Sequence, residues 1–181
     1  REAVLWKLEG LAEHDQRRPM VPTGTNLLGL VKHLAFVEAG YFGTAFGRPV
    51  PATLVWDEAE DADPTADLWA TAEESPAELA RRYREVAAAS DALIEALPLE
   101  APASVPWWDV AHREVTLRLL LVHVIAETNR HAGHADILRE LIDGAVGLRA
   151  TNPNVPDRDE AWWAEHRARL EEIAGRAGAS G

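Results

Sequence analysis

A chain of 181 residues with 47% apolar side chains can bury a full hydrophobic core and reads as a single soluble globular domain over 1–181. Its formal net charge of -12, with no cluster of Lys and Arg, argues against a phosphate-backbone partner, so no nucleic acid is expected. The absence of cysteine removes disulfides, thiolate ligands and a cysteine nucleophile, and leaves metal chemistry to His, Asp and Glu.

The first helical stretch, Glu2 to about Glu9, turns Val4, Leu5 and Leu8 to one side. A second brief stretch precedes the breaks at Pro19 and Pro22, and the two read as one broken helix. No signal-peptide pattern opens the chain, and a cytoplasmic protein is expected; the chain enters at Arg1 as if inside a helix already begun, so a few N-terminal residues are expected to be missing. "TGTNLLGLVKHLAFVEAGYFGTAFG" follows, capped by Thr25 or Asn26, and predicts a long helix that Gly47 and Pro49 stop. Residues 46–74, rich in Pro, Asp and Glu, read as a solvated loop with a turn of helix near Trp69, and its acidic part, 57–64, as a connection rather than a lid. Ser75, Pro76 and Glu78 then give a helix start with a capping box, followed by the stripe Leu79, Tyr83, Val86, Leu93 and Leu97. After a Pro-rich connection ending in "PWWDVAHREV", the last long helix runs from about Thr116 to Asp143 and stops near Gly144. Its apolar run, Leu119 to Ala126, is far shorter than the ~20 residues of a membrane span, so no membrane partner is expected. "DEAWWAEHRARLEEIAG" closes the chain as a peripheral helix over about 159–175. Long helices without strand alternation predict an all-α fold, an antiparallel four-helix bundle with additional short helices, whose sites form from side chains facing inward on neighbouring helices.

The last long helix carries an unusual face. At 100° per residue from His123, the apolar Leu119, Leu120, Ala126, Ile137, Leu138 and Leu141 fall within about 60°, and so do Glu127 and His134, with His131 close by. A carboxylate on a buried face costs several kcal/mol unless compensated. Glu127 and His131, one turn apart, can reach one metal ion, and His33, an imidazole among Leu30, Phe36, Val37 and Gly40, can supply a third ligand. Two His and one carboxylate leave an open position of the catalytic kind. Spacing alone leaves other pairings open, His123 with Glu127 or His131 with His134, and leaves open a hydrogen-bonded polar core without metal. Glu38, turned some 140° from His33 on its wheel, is expected to be solvated.

"GTNLLGLVKHLAFVEAGYF" and, about ninety residues later, "LLLVHVIAETNRHAGHADILRELIDG" resemble the DinB-like superfamily, in particular its DUF664 branch, over nearly the whole chain. The resemblance implies a four-helix bundle and a metal triad of His33, Glu127 and His131, the His, Glu, His set of the subgroup that includes mycothiol-dependent maleylpyruvate isomerase. It implies a divalent metal, zinc before nickel, and a thiol such as mycothiol or bacillithiol as cosubstrate, with a small-molecule electrophile as the other partner. His134 stands where many relatives have Gln, and is expected to orient Glu127 or a bound water. The alternatives are a metal-dependent hydrolase and a non-catalytic, stress-associated binding protein with a structural metal.

Trp107 and Trp108 are expected to seal a core edge, and Trp162 and Trp163 to anchor the last helix; an exposed pair there would instead favour a homodimer. His14, His112 and His166 read as surface residues. Arg130, on the face of the quartet, is unassigned. Gly133 in mid-helix is expected to mark close approach of a neighbouring helix.

Overall fold

The computed structural model describes residues 1–48 and 63–178. In chain order it contains α1 (Glu2–Trp6), α2 (Glu13–Arg17), α3 (Leu27–Phe42), a 3-10 turn at Thr44–Phe46, α4 (Pro76–Ala96), β1 (Pro102–Ser104), β2 (Glu114–Thr116), α5 (Leu117–Asp143) and α6 (Glu160–Gly178). The all-α class expected from the sequence is what the structure shows, with one small antiparallel hairpin, β1–β2, that alternation did not reveal. The sequence-predicted turn of helix near Trp69 is absent, and most of the acidic segment 57–64 lies outside the described residues.

Local chemistry sets the helix ends. Asn26 Oδ1 accepts from the Gly29 amide at 2.8 Å and starts α3, and Ser75 Oγ accepts from Glu78 N at 3.2 Å and starts α4. The capping box is half built, because Glu78 turns its carboxylate to Arg81 and Arg82. Thr116 caps α5, and Gly144 ends it in the left-handed region at φ 78°, where a residue without Cβ is unstrained. No helix among the described residues is long and apolar enough to cross a membrane.

Helix α3 lies at the centre, packed on both α4 and α5, while α1 lies on α5. Val4, Leu5, Leu28, Leu34, Tyr83 and Leu138 belong to one buried cluster, and Phe42, Leu93, Leu117 and Leu120 to a second. Arg139 of α5 ties α1 down: its Nη1 donates to the carbonyls of Lys7 at 3.0 Å and Glu9 at 2.8 Å, while Nη2 pairs with Asp143 at 2.7 Å.

Several expectations are corrected here. Within the predicted core stripe of α5, Leu119 is 46% exposed and Leu120 is 0% exposed, and Ile137 and Leu141 are exposed as well. Burial instead follows Leu117, Leu120, Val124, Ala135 and Leu138, so the inward face is rotated by about 90° from His123, toward His131. Gly133 accordingly sits on the outer side, where among the described residues an added Cβ would meet nothing within 4 Å, and marks no close approach of a described helix. Glu38 is 1% exposed rather than solvated. It is ion-paired to Arg1, whose other branch reaches Asp91 at 2.6 Å; burial pushes the carboxyl pKa up, and the Arg1 bond and Ser90 pull it back. Among the described residues Trp162 and Trp163 pack on each other and on His166, and α6 makes no extended interface with another element, so no anchoring contact is seen there.

Candidate functional site

The site lies where α3 faces α5. His33 and His131 meet ring edge to ring face, with centroids 4.7 Å apart. One turn back on α5, Glu127 Oε2 stands 3.4 Å from His131 Nε2. Two of the three side chains predicted as ligands, His33 and Glu127, therefore each stand next to the third, His131. His134 joins them through His131, with Nδ1 to Nδ1 at 3.3 Å, and not through Glu127. Arg130 is exposed on the flank, 3.9 Å from Glu127. His123 stands aside, packed against Tyr41 and Trp108 with centroids at 4.7 and 5.2 Å.

A residue missed by the sequence reading completes the cluster. Asp67 Oδ2 lies 2.6 Å from His33 Nδ1, and this bond holds the Asp67 carboxyl below its usual range. An ionised Asp67 can only accept, so His33 carries a hydrogen on Nδ1 and presents Nε2 on the side away from Asp67. Asp67 belongs to the segment read as a solvated loop, yet that segment is pinned. Lys32 Nζ donates to the Trp69 carbonyl at 2.9 Å and to Glu74 at 2.8 Å, and Arg17 donates to the carbonyls of Thr71 at 2.7 Å and Glu74 at 2.6 Å. At Gly29 an added Cβ would lie 1.9 Å from the Leu68 carbonyl oxygen, so the backbone next to Asp67 rests against the bare helix.

His131 is 12% exposed at its side chain. Burial foremost, then electrostatic repulsion between its protonated form and the neighbouring His33 and His134 imidazoles, pushes its pKa down to about 4, against the opposing pull of Glu127. The imidazole is therefore neutral at pH 7. Its 3.4 Å separation from Glu127 exceeds the ~2.7–2.9 Å of a charge-assisted hydrogen bond, which leaves both groups with unused donor capacity toward a cation. Among the described residues no group of three or more His, Asp or Glu stands assembled to hold a metal ion. The donor set itself suits one: two imidazoles, a carboxylate, and behind His33 a second carboxylate in the position that commonly orients a metal-bound histidine.

Two cavities flank the imidazole pair. One, of about 500 Å³, is lined by His33, Asp67, His123, Glu127, Tyr41 and Trp107. The other, of about 380 Å³, is lined by His131, His134, Leu30, Leu68, Trp69 and threonines. The hairpin β1–β2 delivers the two tryptophans differently from expectation. Trp108 does seal the core edge, donating Nε1–H to Tyr41 Oη at 3.1 Å, but Trp107 is 51% exposed and forms a cavity wall.

A histidine pair and a carboxylate contributed by two facing helices, with a cavity on either side, form a polar cluster of the kind from which small-molecule sites are built. The chain belongs to the mycothiol S-transferase family, whose model matches residues 1–144. The match ends at the glycine that terminates α5 and leaves α6 outside it. No curated protein and no solved structure matches the chain.

Proposed function

We propose that the protein is a thiol S-transferase in which His33, Glu127 and His131 hold a divalent cation, zinc before nickel, that takes the sulfur of a low-molecular-weight thiol such as mycothiol. The observation that carries this reading is the edge contact of His33 and His131 beside Glu127, at the wall between two cavities, in a chain of this family. A bound cation would supply a thiolate at neutral pH by lowering the thiol's pKa.

The chain's own residues do the rest. Asp67 accepts the His33 Nδ1 hydrogen and turns the Nε2 lone pair to the ligand position. His134 takes up Nδ1 of His131, which frees Nε2 on the side of Glu127. The buried position of His131 keeps it unprotonated, as a ligand must be. In the transfer, a carbon–sulfur bond forms, the leaving group departs with the bonding pair, and the thiol proton passes to solvent.

The test is elemental analysis of the purified protein. One metal ion per chain is expected, lost in His33→Ala and His131→Ala, with affinity lowered about 10–100-fold in Asp67→Asn. Metal retained at unchanged stoichiometry in His131→Ala overturns the assignment.

A further inference from the structure

The imidazole pair is a partition, and the elements that build it contribute residues to both sides. From α5, Glu127 lines the larger cavity and His131 the smaller; from the pinned segment, Asp67 lines the larger and Leu68 the smaller. A transfer reaction brings two substrates to one point, and a displacement at saturated carbon has nucleophile and leaving group on opposite sides of that carbon. Resting on the S-transferase reading, we infer that the two substrates approach this partition from different cavities: a hydroxyl-rich thiol carrier on the Trp107 side, and a compact apolar electrophile on the Trp69 side.

The chemistry of the walls decides which goes where. In the larger cavity the half-exposed Trp107 indole stands edge-on to Tyr41, with centroids 5.3 Å apart. It lies so close to α3 that a Cβ at Gly40 would come within 3.0 Å of the ring. A fixed indole beside Asp67 and His123 offers a ligand an apolar face for ring C–H groups and acceptors for paired hydroxyls, the combination that a polyol needs. Carboxylates on that wall also disfavour an anionic guest. Among the described residues no carboxylate lines the smaller cavity; Leu30, Leu68 and the Trp69 ring form its apolar wall beside Thr23, Thr25 and Thr65, and Trp69 is fixed by donating Nε1–H to Asp63 at 2.8 Å. Size agrees with this division, since the carrier is the bulkier molecule.

The experiment uses the full chain with one equivalent of zinc, as wild type, Trp107→Ala, Trp107→Phe and Trp69→Ala, each checked for an unchanged circular dichroism spectrum. Mycothiol affinity is read by titration calorimetry. Occupancy of the apolar side is read from the proton line broadening of 1,3-dinitrobenzene, which has no leaving group and cannot react. Trp107→Ala should weaken mycothiol binding about tenfold, with Trp107→Phe restoring most of it and Trp69→Ala leaving it unchanged. Trp69→Ala should abolish the broadening of the probe, and Trp107→Ala should preserve it. The reverse pattern, or mycothiol binding indifferent to both tryptophans, overturns the division of the cavities while leaving the S-transferase reading in place. Zinc-loaded wild type that binds no mycothiol overturns both.

Discussion

Two glycine-to-alanine substitutions in helices should have opposite signs, because one glycine is needed for space and the other is not. Gly29 lies in α3 with no positive φ, so its backbone does not demand glycine, but an alanine Cβ there would stand 1.9 Å from the Leu68 carbonyl oxygen. An ordinary C···O contact is ~3.3 Å, so Leu68 would have to retreat by about 1.4 Å. That displacement reaches its neighbour Asp67, and a 2.6 Å bond to His33 lengthened by this much is no longer a hydrogen bond. Helix propensity favours alanine by about 1 kcal/mol. Against it stand overpacking of ~1–3 kcal/mol and a lost charge-assisted bond of ~1.5–3 kcal/mol, of which the solvent at this partly buried pair recovers part. The net expectation is a loss of about 2 kcal/mol, or a Tm lower by ~4–8 °C for a chain of this length. Gly133→Ala carries the propensity term alone, since nothing lies within 4 Å, and should gain up to about 1 kcal/mol. Thermal and urea denaturation of the metal-free proteins measure both, and nitrogen-detected NMR of His33 reports whether Nδ1 still carries its hydrogen-bonded proton. A Gly29→Ala variant as stable as wild type, with the His33 signal unchanged, would refute the argument that glycine is there to seat the Asp67 segment.

Three further outcomes follow from the same geometry. Leu120→Ala should cost ~2–5 kcal/mol and its neighbour Leu119→Ala less than ~0.5 kcal/mol, which checks by denaturation which face of α5 is inward. Arg1→Ala, by leaving the Glu38 carboxylate buried without its cation, should destabilise by about 3 kcal/mol, and Glu38→Gln in the same chain should recover a measurable part. For His131 the folded pKa, about 4, lies below the ordinary 6.5, so the unfolded chain takes up a proton that the fold refuses. Metal-free protein should therefore lose stability as pH falls from about 6.5 toward 4. His131→Leu should flatten that part of the profile; an unaltered slope would show that the imidazole is not kept neutral by its surroundings.

What the sequence makes legible is whatever is encoded locally. The starts of α3, α4 and α5 are readable because Asn26, Ser75 and Thr116 satisfy amides within three residues of themselves, and the end of α5 because Gly144 adopts a left-handed turn. The direction of the inward face is less legible. Apolar residues occur all around α5, with Leu119, Val122 and Ile125 exposed and Leu117, Leu120 and Val124 buried, so composition alone does not orient the wheel. The same ambiguity hid the burial of Glu38: its wheel angle is correct relative to His33, but α3 is enclosed on several sides, so facing away from His33 means facing α4 and Arg1. The hairpin escaped for a different reason, since three-residue strands are too short to show alternation.

The site divides along the same line. His33, Glu127 and His131 are visible because helical spacing puts two of them one turn apart and the third on the apolar face of another helix. Asp67 has no such signature, because its position depends on bonds from Arg17 and Lys32 and on the missing Cβ of Gly29, all more than thirty residues away in the chain. Each of these contributors looks unremarkable by itself: a lysine and a glycine within an apolar helix, an arginine in a short one. Together they hold a polar, turn-rich stretch against α3 in one register, and that register brings a carboxylate, rather than Leu68 beside it, to His33. A shift by one residue would offer the imidazole a hydrocarbon side chain instead, so the stability of the 63–74 segment and the donor state of His33 are one quantity measured at two places. Substituting Arg17 by Met, far from the imidazoles and on the opposite edge of the segment, should therefore weaken the His33–Asp67 bond as well as the fold. A His33 Nδ1 proton signal that survives this change undiminished would show instead that Asp67 is held by contacts within its own turn.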